Sequence, residues 1–358
     1  MARPANAVDF WRGFALVTIF INHIPGLFYE RFTHRNISIS DSAELFVFLA
    51  GWSLGLMVAS FGAAYNPARL FVRLGGRAIK IYAAQILISS LALAILAITA
   101  IVADNPLVLE WHNAAAVFQE PQLAHIGLVL LTHQLGYFDI LPLYVVLMLA
   151  APGLGLFHRY LHPLVLPGSL LLYLAALIVP FTAPTWPVPG QWFFNPFAWQ
   201  AIFVLGFVLS QNEGLGAFVR RHLATIQKIA LPIVLATAVL VWFNWFPDPT
   251  RLPEPKLLFM NGKSFLTPIR LLQFLALVAV FATAFPYIKA AVPWITDKFS
   301  LMGRNSLNVF CVASVLSLVG QIVRFVYSGT FIVDTIVLLA GVVLMWVTGW
   351  ISEWKDKA

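Results

Sequence analysis

The chain has 358 residues, of which 60% are hydrophobic and only 10% charged, against about 25% charged in an ordinary soluble domain. That composition excludes a water-soluble globular fold; at roughly 20 apolar residues per helical crossing it leaves room for about ten crossings, in a single integral-membrane domain over residues 1–358. The formal charge of +7 is not gathered into basic runs interleaved with aromatics, so nucleic acid is excluded as a partner, and a lone Cys311 without CxxC or HExxH spacing points to no disulfide and no metal.

Continuous apolarity over lengths well beyond a strand predicts an all-α, polytopic membrane helix bundle rather than a β-barrel. The predicted spans are residues 8–29, 42–60, 76–103, 138–157, 163–181, 197–211, 229–246, 267–288, 300–326 and 331–351. The first contains Asp9 and Arg12 and no small-residue cleavage site follows it, so it reads as a retained span rather than a signal peptide. With the N-terminus in the cytoplasm, fifteen Lys and Arg fall inside, Arg3 and Lys357 among them, and seven fall outside. The positive-inside rule expects this asymmetry, and both termini are then cytoplasmic. Among the outer connectors, residues 104–137 are too long for a tight turn, and 121–136, with His125 and His133, read as an interfacial or re-entrant helix. Pro184, Pro187 and Pro189 with Trp186 and Trp192 predict a rigid aromatic loop, and residues 247–266 a loop rich in proline and polar side chains.

Arg12 and His23 stand eleven residues apart in the first span, which brings them within roughly 20° of one helix face and about 16 Å apart along its axis. That face offers a cation at the inner boundary and an imidazole deep in the bilayer, beside a kink expected at Pro25. Arg12 also fits a plain positive-inside anchor and His23 an interhelical hydrogen-bonding residue, although ionisable side chains at depth usually face a cavity or pathway. Asp41 and Glu44 open the second span three residues apart, on one face, where they orient or charge-balance His23 or cap the helix. Gly51 and Gly55 form a GxxxG pair suited to helix packing. Arg69, Arg73, Arg77 and Lys80 recur at helical spacing, as a receptor for a phosphorylated cofactor or as a topology signal, and Arg304 carries the same two readings. Asn195 and Gln200 carry amides suited to sugar hydroxyls, Trp192 and Trp199 are stacking surfaces or an interfacial belt, and Arg270 opens the eighth span on the outer side. His34, His112, His158, His162 and His222 fall in predicted loops and read as solvated.

The string DFWRGFALVTIFINHIPG with its Arg-x10-His spacing, followed by DSAELFVFLAGWSLGL, resembles the integral-membrane acyltransferase superfamily that acylates extracytoplasmic sugars. Within it, FNPFAWQAIFVLGF, TPIRLLQFLALV and LMGRNSLNVF resemble the OpgC-type proteins that succinylate osmoregulated periplasmic glucans, over nearly the whole chain. The resemblance implies ten spans in the bacterial inner membrane, cytoplasmic succinyl-CoA or another acyl-CoA as donor substrate rather than a permanently bound cofactor, and a periplasmic glucan as acceptor. It places the donor side on Arg12, catalysis on His23, the acidic segment on Asp41 and Glu44, and an outer-surface charge on Arg270; for a succinyl donor Arg270 is the expected partner of the free carboxylate, which is costly to bury unpaired, or else it serves the glucan or the fold. The expected reaction is O-acyl transfer, with His23 as general base or as a transient acyl carrier. Two rivals share these residues: a transporter or flippase of a polar lipid or oligosaccharide, in which buried Arg and His gate or relay protons, and a structural partner of a glucan-synthesis complex.

Overall fold

The computed structural model describes residues 4–61 and 66–355; Arg3 and Lys357 of the predicted cytoplasmic set lie outside the described residues. Among the described residues there are α-helices and short 3-10 turns and no strand. In chain order the helices are α1 (Ala7–Asn22), α2 (Ser42–Phe61), α3 (Pro67–Val102), α4 (Ala115–Gln119), α5 (Pro121–Val129), α6 (Ile140–Ile178) and α7 (Pro196–Ser210). They continue with α8 (Gly214–Arg221), α9 (Leu223–Trp242), α10 (Pro268–Phe281), α11 (Ala284–Ala291), α12 (Pro293–Arg304), α13 (Ser306–Tyr327) and α14 (Phe331–Lys355). Proline decides where many of them begin: α3, α5, α7, α10 and α12 all start on one, at the position where a missing N–H costs nothing and a fixed φ already suits the helix. Asn6, Asn66 and Asn195 cap α1, α3 and α7 by accepting from a backbone N–H inside the first turn.

Each predicted span falls on a helix, but ten clear crossings are not found. Among the described residues, six helices, α2, α3, α6, α9, α13 and α14, are long and apolar enough to cross a membrane, and the count reaches eight if the bent pairs α7–α8 (71°) and α10–α11 (54°) are each one span. Two physical causes account for the difference. Asn22 ends α1 after 16 residues, three positions before Pro25, so the first predicted span is cut short. The predicted spans 138–157 and 163–181 are one 39-residue helix, α6, broken at Leu161 (φ −137°, ψ 40°) with Pro163 and Pro167 just beyond. Of residues 121–136, where an interfacial or re-entrant helix is expected, Pro121–Val129 form the nine-residue helix α5. The apolar side chains of α9 are almost all turned outward, only 11% of its apolar window being buried, whereas 61% of the corresponding window of α6 is buried. A helix with exposed Leu and Ile along its length is solvated by lipid, and the chain is an integral membrane protein.

Small residues let the central helices approach closely. A Cβ on Gly51 would overlap the carbonyl of Phe203 and one on Gly55 the carbonyl of Phe207, so the GxxxG pair serves packing of α2 on α7, and Gly206 of α7 faces the carbonyl of Phe48 in the same way. The same holds between α1 and α12, where Gly13 faces Phe299 and Gly303 faces Asp9. Thr18 of α1 and Ser42 of α2 share a hydrogen bond. Thus α1 is held on opposite sides, and its C-terminal end has a fixed direction.

Candidate functional site

His23 is the C-cap of α1, its N–H donating to Ile19 O at 2.9 Å. The chain turns there because Pro25 cannot donate to a helix carbonyl and Gly26 sits at φ +76°, a left-handed conformation that suits glycine. The imidazole lies against Tyr137, ring centroids 4.7 Å apart, and Tyr137 in turn meets His112 at 5.3 Å. His23 Nδ1 is buried and has no hydrogen-bond partner, which leaves that nitrogen free for a ligand.

The ring borders a cavity of about 770 Å³ that is also lined by Asn22, Arg35, Asp41, Asp139, Lys263 and Arg270. A second hollow of about 460 Å³ continues from it, sharing Asn244, Phe246 and Asn261. Phe193 and Phe194 give the wall two aromatic faces, with Lys263 Nζ 5.6 and 5.5 Å from their ring centres. Loop 243–267 reaches the cavity because it is pinned to α7: Trp199 Nε1 donates to Lys263 O at 3.1 Å and Asn195 N to Ser264 O at 3.1 Å.

Beneath this wall lies a four-charge cluster. Lys263 Nζ donates to Asp41 Oδ2 at 2.5 Å, Arg270 donates to Glu44 Oε1 through Nε (2.9 Å) and Nη2 (2.6 Å), and Nη2 stands 3.7 Å from Asp41. Asp41 and Glu44 also form a capping box at the start of α2: Asp41 Oδ1 accepts from Ala43 N and Glu44 Oε2 accepts from Asp41 N. The capping reading of this pair therefore holds, while its ion-pair partners are Lys263 and Arg270 rather than His23. Burial opposes ionisation of Asp41, but Lys263 and then Arg270 outweigh it and hold the carboxyl below the usual carboxylate range. Two carboxylates and two cations cancel, so the cluster is neutral and Arg270 is not a spare cation. Glu44, fully buried, is engaged by Arg270 rather than by His23. In the cavity wall, Arg35 is the less committed guanidinium, meeting Glu30 only at 3.4 Å in an exposed pair.

At the other end of α1, Arg12 Nη2 donates to Ser53 Oγ (2.6 Å) and Leu49 O (3.2 Å), and Nη1 lies 3.8 Å from Asp9. Arg73, Arg77 and Lys80 are exposed along α3, and Arg77 stands within electrostatic range of Arg12 and Tyr144. Arg304 pairs with Glu353 at 2.6 Å, while its buried Nη1 has no partner. Between this end and the His23 cavity stands a layer of rings: Phe310 lines the cavity and stacks on Phe46 (5.9 Å), which meets Tyr144 (5.3 Å), whose buried hydroxyl is unpartnered.

Three of the residues expected to bind sugar are turned elsewhere. Asn195 caps α7 and donates to Phe181 O (2.7 Å), Trp199 is fully buried against loop 243–267, and Gln200 is bonded to Ser169 and Phe197. The apolar neighbours Phe193 and Phe194 reach the cavity in their place. Lys263, Tyr137, Asp139 and His112 are brought to the site without having been singled out by spacing. His112 is half-buried rather than solvated, and burial holds its imidazole below the ordinary value against the opposing effect of a hydrogen bond donated to Gln321. His158 and His162 lie on α6 rather than in a loop.

No curated protein and no solved structure gives a match to this chain. The family model described as OpgC protein matches residues 5–357, which takes in both ends of α1, the charge cluster and every residue of the cavity wall. The chain belongs to the OpgC protein family.

Proposed function

We propose that the protein is a membrane O-acyltransferase that moves a succinyl or related acyl group from cytoplasmic acyl-CoA to hydroxyls of a periplasmic glucan, as one domain in a bacterial inner membrane with both termini cytoplasmic. The observation that carries this reading is the unpartnered His23 nitrogen at the wall of a polar and aromatic cavity, at the opposite end of α1 from Arg12 and the basic row of α3. Amides and aromatic faces around that cavity suit a carbohydrate, and the exposed cations Arg73, Arg77 and Lys80 suit the phosphates of coenzyme A. The imidazole, neutral in its buried setting, takes the proton of a sugar hydroxyl as its oxygen attacks the thioester carbonyl. Collapse of the tetrahedral intermediate breaks the C–S bond, and the departing thiolate recovers the proton from the imidazolium. The charge cluster of Asp41, Glu44, Lys263 and Arg270 braces the acceptor side, and Arg35 is the cation offered to a succinyl carboxylate.

The test is thioester cleavage by the purified chain, followed with succinyl-CoA and a periplasmic glucan. The expected result is acceptor-dependent release of free coenzyme A that His23→Ala abolishes. Glucan movement across a vesicle membrane without thioester consumption would assign the transporter reading instead.

A further inference from the structure

The turn after α1 leaves carbonyl groups that no helix hydrogen bond satisfies, and α13 meets them in succession. Ser317 Oγ donates to Phe20 O at 3.2 Å, Gln321 Nε2 to His23 O at 2.6 Å, Arg324 Nη2 to Gly26 O at 2.7 Å, and Arg324 Nη1 to Pro25 O. Positions 317, 321 and 324 lie on one helix face. Behind them Arg324 Nε donates to Asp334 Oδ1 at 2.7 Å, and the other oxygen of this buried carboxylate accepts from Phe28 N at 2.7 Å. Gly329 leaves room for the guanidinium, since a Cβ there would overlap it. Tyr29 and Thr335 tie the same turn to α14 by a 2.8 Å hydrogen bond.

Backbone hydrogen bonds in the turn are few: Ile24 N and Leu27 N donate at 3.1 Å to Ile21 O and Ile24 O. The His23 N–H is held by α1 itself, whereas its carbonyl and those of Pro25 and Gly26 are held by side chains some 300 residues away in sequence, so the ring is aimed from both sides of its Cα. We propose that Gln321 and Arg324, with Asp334 holding the guanidinium, are positioning residues that aim the His23 imidazole into the cavity. A planar fork of five donors spreads three nitrogens over two carbonyls and a carboxylate, whereas the ammonium of a lysine offers its three donors from a single nitrogen. The inference rests on the reading of His23 as the reacting base.

The experiment compares Gln321→Ala, Arg324→Lys and His23→Ala with the wild-type chain in lipid nanodiscs, using succinyl-CoA and a periplasmic glucan. Three quantities are followed: kcat, KM for both substrates, and the rate at which diethyl pyrocarbonate modifies His23, read by peptide mass spectrometry. A misplaced reacting group costs on the order of 10²-fold in rate, so Gln321→Ala and Arg324→Lys should lower kcat by about 10- to 100-fold with each KM within about twofold of wild type. The His23 modification rate should change by more than about threefold, because the ring environment moves, while the melting temperature of Gln321→Ala stays near wild type. Wild-type kcat and modification rate in Gln321→Ala, with His23→Ala inactive, would overturn the positioning role and leave the proposed reaction standing. Loss of kcat with a matching rise in both KM values and a lowered melting temperature would also overturn it, assigning the contacts to folding alone. Full transfer by His23→Ala would instead defeat the catalytic reading, and the modification rate would still report whether Gln321 and Arg324 orient the ring. If Arg324→Lys does not fold, Gln321→Ala decides.

Discussion

Arg270→Ala separates two roles that the sequence left open for this residue. If the guanidinium exists to neutralise Glu44, its removal strands a carboxylate with no solvent exposure and deletes two hydrogen bonds of 2.6 and 2.9 Å. Charge-assisted hydrogen bonds are worth about 1.5–3 kcal/mol each, and breaking a buried pair by removing one partner costs about 3–5 kcal/mol. At about 2–4 °C per kcal/mol for a chain of this order of size, the melting temperature should fall by more than about 6 °C. Arg270→Met combined with Glu44→Gln removes both charges, keeps an acceptor for the Asp41 N–H, and should recover most of the loss. The coupling between the two sites should then be about 1–3 kcal/mol. The assay is thermal unfolding in nanodiscs, followed by tryptophan fluorescence across the four-variant cycle. A single Arg270→Ala variant that melts within about 1 °C of wild type, yet loses succinyl transfer selectively over acetyl transfer, would refute the neutralising role and restore Arg270 as the partner of the donor carboxylate.

In contrast, Arg35→Ala should reduce succinyl transfer more than acetyl transfer by about tenfold and leave the melting temperature unchanged, checked by parallel rates with the two donors. Tyr144→Phe deletes a buried hydroxyl with no partner and should stabilise the protein by about 1 kcal/mol while weakening acyl-CoA binding, measured by unfolding and by donor titration. His34, His112 and His133 are each held below their ordinary pKa, first by burial. The unfolded chain takes up protons near pH 6.5 where the folded chain does not, so stability is full above that pH and falls as pH drops toward 5. Replacing the three by Gln should flatten that slope, read as melting temperature against pH. Gly51→Val forces a side chain into the Phe203 carbonyl and should cost at least about 3 kcal/mol or abolish folding, seen as loss of the monodisperse purified protein.

The helical class, the membrane setting and the turn that ends α1 before Pro25 were legible because each rests on local information: hydropathy and proline placement. Asp41 and Glu44 were visible for the same reason, since a capping box is written in four consecutive residues. Their partners were not, because Lys263 lies 222 residues from Asp41 and Arg270 226 from Glu44, and no period in the chain joins them. Asn195, Gln200 and Trp199 show why such residues are hard to assign from sequence. A polar or aromatic side chain at the start of a helix suits a sugar or its own neighbours with the same atoms, and here loops hold Asn195 and Trp199 while α6 holds Gln200. The number of crossings was blurred by proline, which reads as a boundary in sequence yet sits inside α6 as a bend.

The rings of Phe310, Phe46 and Tyr144 have a consequence for the cell rather than for the reaction. A protein that draws one substrate from each side of an energised membrane risks becoming a wire for protons, since any continuous file of water between the two chambers would discharge the gradient. Three aromatic side chains in contact offer such a file no polar partners, so in the proposed reaction the acyl group would pass an apolar step that does not also favour water.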